Sequence, residues 1–298
     1  MSAGPAPPQT LPQRLWAQRV PLLITHPDRP SQPFLISVPR FSYLALLLPR
    51  LTAFFQRPCS SFHHEALLLR NLPLGLLVDL YQPPLPWRLT VRDGVGWDIA
   101  DTFLNCVKEA DFVRHGNANQ IMKMSKEHTT ALWAAVRDNN LYAFAKVNSI
   151  LLNAPSALRH VPIRIYVPTA TASQRAAAAA AAAAAAQEPA AIPLDTNTPA
   201  APSTAQSTTT PPTPVVAAAG SFKVVQTLIA PTTPDRRPQT LGAALKAVLP
   251  ALFPSARDPI HGDVVMHGAP VPFAAPVAEL MKEAAYPDGW ICLVVQLF

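Results

Sequence analysis

The sequence predicts an α+β fold, with two mixed modules of strands and short helices flanking a helix-rich segment. Three observations carry this expectation. From Asp98 to Asn153 the apolar residues recur at helical spacing throughout. On either side they fall instead into short runs bounded by proline and polar turn residues, and both flanks repeat one order of elements. Of the 298 residues only 14% are charged and 35 are prolines, against about 25% charged and about 5% proline in ordinary domains. Such a mixture indicates ordered modules joined by tracts with little to bury.

Residues 1–12 form a Pro-rich tail expected to be disordered, and order is expected from about Gln13. Leu15, Val20, Leu22 and Ile24 lead through a helix or bend into a strand. Phe34 to Val38 is a second strand between Pro33 and Pro39, pairing back across the Asp28-Arg29-Pro30 turn. Ser42 is placed to cap a helix bearing Leu44, Leu47, Leu48, Leu51, Phe54 and Phe55, with Pro49 the awkward residue. Leu74 to Leu80 and Trp87 to Val91 read as strands or short helices. Strand, strand, helix, strand is the order of a β-grasp, and it occupies residues 13–96.

The helix-rich domain spans residues 97–157. With Ile99 as the zero of a helical wheel, Phe103, Cys106, Ala110 and Val113 fall on one apolar stripe and Lys108 points away from it. Asp98 caps the start, Asp101 lies near the positive end of the dipole, and Gly116 offers a left-handed stop, so the helix runs from about Ile99 to His115. By this physics alone Lys108 is a solvated lysine. Ser125 starts a further helix with Leu132, Trp133 and Val136, which Asn139-Asn140 breaks. A last helix carries Tyr142, Phe144, Val147, Ile150 and Leu151. Trp133 and Phe144 are expected in the core.

From 158 to 298 the β-grasp order returns. Val161 to Val167 and Phe222 to Ile229 are strand-like, Leu241 to Leu252 is helical after the Thr240 cap, and Val264 to Met266 and Trp290 to Leu297 are further strands. Between the first two lies a low-complexity insertion, residues 169–220, with eleven consecutive alanines from Ala176 to Ala186. Loop-closure entropy grows only with the logarithm of length, so a hairpin can carry it.

Chemistry-bearing patterns are few. The net charge of +6 comes from scattered residues with only Arg236-Arg237 adjacent, which predicts a solvated surface and no nucleic-acid groove. Cys59, Cys106 and Cys292 are odd in number and far apart, as expected of reduced thiols in the cytosol. Signal-peptide and transmembrane patterns are not expected. Gly-rich phosphate loops, HExxH, GxSxG and CxxC are missing, so no catalytic residue, metal or cofactor is expected. His63-His64 reads as an exposed loop pair rather than a metal site. Cys106, two residues from Lys108, invites a thioester reading, but a cysteine on an apolar stripe is more often a small core residue.

The run Cys106-Val107-Lys108-Glu109-Ala110-Asp111 resembles the conjugation segment of the autophagy protein 5 family. Phe41-Ser42-Tyr43-Leu44, Pro73 to Leu80, Leu85-Pro86-Trp87, Leu132-Trp133, Lys146-Val147-Asn148, Val161 to Tyr166, Gln239 to Gly242, Met266-His267-Gly268 and Tyr286-Pro287-Asp288 follow in the family's order. The resemblance implies two ubiquitin-like β-grasp modules flanking the helix-rich domain. It implies that Lys108 is the isopeptide acceptor for the C-terminal glycine of the ubiquitin-like autophagy protein 12. Further implied partners are a helix of autophagy protein 16, held noncovalently, and the E2-like autophagy proteins 10 and 3, met transiently. The conjugate would act as a non-catalytic part of an E3-like assembly that lipidates an Atg8-family protein on phosphatidylethanolamine. It would be cytoplasmic and peripheral at the preautophagosomal membrane. An unmodified ubiquitin-like adaptor is the other function class. The sequence departs from the family pattern in a short loop from Arg57 to Leu72, which leaves a strand of the first module missing or irregular, in Ala145 where a bulky aromatic is common, and in the insertion. Glu109 and Asp111 are expected to favour the charged ammonium of Lys108.

Overall fold

Residues 9–94, 98–153, 157–169 and 222–298 are described by a computed structural model. The tail expected to reach Pro12 gives way earlier to helix α1, Leu11–Ala17, because Thr10 and Gln13 close a reciprocal capping box and Pro12 falls in the first turn, where its missing N–H costs nothing. Strand β1, Arg19–His26, then pairs antiparallel with β2, Arg29–Pro39. Ser42 does not cap a helix. Its carbonyl accepts from the Leu74 amide at 2.8 Å, and the chain passes through a 3₁₀ turn, Leu44–Leu47, before α2, Leu48–Phe55, restarts with Pro49 in its first turn. Pro49 thereby explains the break.

Against expectation, the short loop from Arg57 to Leu72 does not leave the first module a strand short; it holds two strands. β3, Ser61–His64, and β4, Leu67–Leu68, form a hairpin short enough to fit because Glu65, at φ 55°, turns the chain within two residues. His63 and His64 are therefore strand residues, and the His64 ring accepts from the Trp87 indole at 3.2 Å. Residues 74–81, open between strand and helix in the sequence, are helix α3, Leu74–Tyr81. β5, Trp87–Arg92, runs parallel to β1 and completes a five-stranded sheet in the order β2-β1-β5-β3-β4.

Four helices follow: α4, Ile99–His115; α5, Asn119–Met122; α6, Lys126–Arg137; and α7, Leu141–Leu152. Ser125 caps α6 as its position predicts, and Asn140 both ends the break and caps α7 through Ala143 N. The second module repeats the first. β6, Ile163–Pro168, β7, Phe222–Gln226, β8, Gly262–Met266, β9, Ala269–Pro270, and β10, Ile291–Leu297, form a sheet ordered β7-β6-β10-β8-β9, again with a parallel central pair. Helix α8, Leu241–Val248, stops ahead of Pro250, short of the expected Leu252, and α9, Val277–Ala284, follows β9. Most of the predicted insertion lies outside the described residues.

Between the modules sits a polar joint. Arg40, at the end of β2, pairs with Asp79 of α3, both side chains buried, and the backbone amides of His267 and Gly268 also reach the Asp79 carboxylate. His267, held at φ 55°, packs its ring against Phe41 and Tyr286 and bonds the Ala284 carbonyl at 2.7 Å. Burial lowers its pKa to about 4, with the Arg40 charge acting the same way. A folded imidazole that resists protonation contributes stability that is full above about pH 6.5 and drains as the pH falls toward 4, by about 3 kcal/mol at most. Burial raises Asp79 and Asp288 instead, so those carboxyls act in the opposite direction. His267→Asn keeps the left-handed backbone accessible, and its melting temperature is expected to fall less between pH 7 and pH 4.5 than that of the parent chain. Parallel pH profiles would refute the assignment.

Candidate lysine site and partner groove

Helix α4 begins and ends as its sequence dictates. The Asp98 carboxylate accepts from Ala100 N at 2.9 Å and Asp101 N at 3.2 Å, and Gly116, at φ 76°, terminates it with its N–H on the Phe112 carbonyl. The buried face comprises Ile99, Phe103, Val107, Ala110 and Arg114, so the stripe is rotated from the one expected: Cys106 and Val113 are only half-buried. Lys108 is exposed. Its ammonium donates to Asn105 Oδ1 at 3.3 Å, one turn earlier.

Neither neighbouring carboxylate is bonded to Lys108. Glu109 is taken by Arg164 of β6 at 2.6 Å. Asp111 is fully buried, where it bonds His115 Nδ1 at 2.9 Å and accepts from the amides of Gln120 and Ile121, tying α5 to α4. The hydrogen bonds of both acids go to other groups, Asp111 to His115 and α5 and Glu109 to Arg164.

Lys108 is carried on a helix pinned to the second sheet. The Arg164 guanidinium stacks 3.9 Å from the centroid of the Trp290 ring and points Nη1 at Cys106 Sγ, while Trp290 Nε1 donates to the Cys106 carbonyl at 3.0 Å. About two turns beyond Cys106, Arg114 lies buried against Gly289, which has φ 86° and no room for a Cβ: one would fall 1.9 Å from Arg114 Nη2. Burial lowers the Arg114 pKa to about 10, opposed by the charges of Asp111 and Asp288. Burial, then the charge of Asp288, raises the Cys106 thiol, which keeps it protonated near neutrality and unsuited to nucleophilic work. Sequence reasoning missed Arg164, Trp290 and Arg114 as supports. The available signal was an arginine set within the alternating apolar run Ile163-Arg164-Ile165.

A cavity of ≈ 190 Å³ opens where α1, α7 and α9 meet, lined among others by Leu15, Trp16, Phe41, Phe144, Ala145 and Met281. Trp16 packs on both Phe41 and Phe144, so all three segments share one apolar wall. Among the described residues, no cluster of His, Cys, Asp and Glu is placed to hold a metal ion, and no helix is long and apolar enough to cross a membrane.

Fold and site together define a two-module ubiquitin-like protein whose modules embrace a helical region with one solvent-facing lysine on its anchored helix. Family models match most of the chain: "Autophagy protein ATG5, UblA domain" over residues 15–93, the "alpha-helical bundle region" over 98–154 and the "UblB domain" over 160–295. Autophagy-related protein 5 of Gibberella zeae is 60% identical over 96% of this chain and 97% of its own length. Autophagy protein 5 of Chaetomium globosum is 57% identical over 96% and 89%. The crystal structure of Kluyveromyces marxianus Atg5 superposes with a TM-score of 0.66 at 18% identity, covering 96% of this chain and 99% of that one, and so shares its fold. The chain belongs to the autophagy protein 5 family, and its role lies in autophagy.

Proposed function

We propose that this chain is the covalent acceptor and scaffold of an autophagy conjugation system. Lys108 receives the C-terminal glycine of ubiquitin-like autophagy protein 12. The amine nitrogen attacks the carbonyl of a thioester on E2-like autophagy protein 10, the new C–N bond replaces the C–S bond, the thiol departs and the amine sheds its proton to solvent. The chain supplies position rather than chemistry: the carrying observation is an exposed lysine, with no carboxylate partner among the described residues, on a helix fixed at Asp98, Cys106, Glu109 and Arg114. The conjugate then brings E2-like autophagy protein 3 to the preautophagosomal membrane, where an Atg8-family protein is joined to phosphatidylethanolamine.

The groove at α1, α7 and α9 supports the second half of the reading. Its aromatic and aliphatic wall suits the apolar face of an amphipathic helix, here that of autophagy protein 16. Incubation with the conjugating enzymes followed by intact-mass measurement tests the acceptor role; a mass unchanged by complete, active enzymes leaves an unmodified adaptor. Hydrogen exchange with a peptide of the autophagy protein 16 helix is expected to protect residues 11–17, 141–152 and 277–284. Protection confined to other elements would exclude the groove.

A further inference from the structure

The two sheets share a strand order but differ in what covers them. In the second, Ile163, Ile165, Ile291 and Leu293 are buried in one cluster with Leu241 and Leu245 of α8. Its other face, bearing Arg164, Tyr166, Cys292 and Val294, lies under α3 and α4, and there Glu109 of α4 takes the Arg164 guanidinium. In the first, Val20, Leu22, Ile24, Trp87, Leu89 and Val91 are buried in the module's own core. Of the alternate residues, Arg19, Leu35, Arg88 and Arg92 are exposed, Leu35 by 66%, and Leu23 is half-buried. The parallel ladders make the faces comparable. Leu22–Trp87 and Ile163–Ile291 are the buried pairs, and the next pair is Leu23–Arg88 in one sheet and Arg164–Cys292 in the other.

Charge on the open face has one sign. Strands β1 to β5 contain no Asp or Glu, while Arg19, Arg88 and Arg92 stand around Leu23 and Leu35, which lie in one row with Arg88 across three strands. Arg88 and Arg92 are four residues apart on one strand, about 13 Å. Arg19 lies four residues to the other side of the leucine row, on the parallel strand β1, so an α-helix about 10–12 Å wide laid along that row covers Leu23 and Leu35 and has a guanidinium toward each border.

We propose that this face docks an amphipathic helix from a partner protein, with a leucine-type stripe on Leu23 and Leu35 and carboxylates along both borders. The covered sheet of the same chain already uses that arrangement, a helix whose carboxylate meets a strand arginine. A flat anionic bilayer fits less well. Leu23 and Leu35 offer a bilayer little apolar area, and membrane binding scales with that area, whereas carboxylates on a helix pair with the guanidinium groups one by one.

The test uses the full chain and two synthetic peptides about 18 residues long with one leucine stripe, bordered by Glu in one and by Lys in the other. Fluorescence anisotropy is expected to show binding of the Glu peptide only. Arg88→Glu with Arg92→Glu is expected to weaken it by about tenfold or more, Leu35→Ser by several-fold, and Arg236→Glu with Arg237→Glu not at all. Matching melting curves exclude loss of fold at these exposed positions. No binding, binding indifferent to Leu35→Ser, or equal loss in the Arg236 and Arg237 variant would overturn the proposal. So would flotation, dependent on Arg88 and Arg92, with phosphatidylcholine vesicles containing about one-third phosphatidylserine, which assigns the face to lipid.

Discussion

Lys108→Arg is expected to abolish conjugation and to leave folding untouched. The side chain is exposed and its recorded bond is to a neutral amide on its own helix, so an arginine keeps the charge and displaces nothing packed; such surface changes stay within about 0.5 kcal/mol. The chemical loss is total because an ammonium gives up its proton before its nitrogen attacks a thioester, and a guanidinium with a pKa above about 12 does not. Positions on other helices are not substitutes: Lys123 follows α5, while Lys126 and Lys146 lie on α6 and α7. Peptide mapping of the conjugate checks this. A branched peptide at any of those three, or an undiminished conjugate from the arginine variant, would remove Lys108 from its role.

Asp79→Ala is expected to be the most damaging single change at the module joint, costing about 3–5 kcal/mol and roughly 10 °C of melting temperature. It strands the buried Arg40 guanidinium, whose Nε already lacks a partner, and it removes the carboxylate that the amides of His267 and Gly268 reach. Burial raises the Asp79 carboxyl more than the adjacent Arg40 lowers it, so desolvation outweighs attraction in this pair. It follows that the paired replacement Arg40→Met with Asp79→Leu recovers most of the loss, since an apolar pair owes no desolvation. Equal destabilisation by the single and paired changes would show that the joint depends on charge itself.

Much of this architecture was legible because local signals agreed with the fold. Asp98, Ser125, Thr240 and Gly116 end their helices where the sequence places them, since capping is decided within three or four residues. What escaped depends on distant neighbours. Ser42 has the composition of a cap but lends its backbone to Leu74, and Leu74 to Tyr81 is apolar on more than one face because it is shared: Leu74 and Leu77 enter the first core, Leu76 and Leu80 the second. The same reason rotated the stripe of α4. A wheel centred on the apolar residues ignores Arg114, which is buried beneath Gly289, a residue 175 positions away. Lys108 itself was legible as exposed, but Arg164 of β6 and Trp290, just ahead of β10, which hold its helix, reach Cys106 only once the second sheet has folded.

The antiparallel ladder between β6 and β7 closes with Pro168 opposite Phe222. Two chain ends held side by side by a ladder make a natural cut point. The same point accepts a fluorescent reporter in place of the tract from 169 to 221, and doubling the length carried there raises the closure entropy by only about 0.6 kcal/mol.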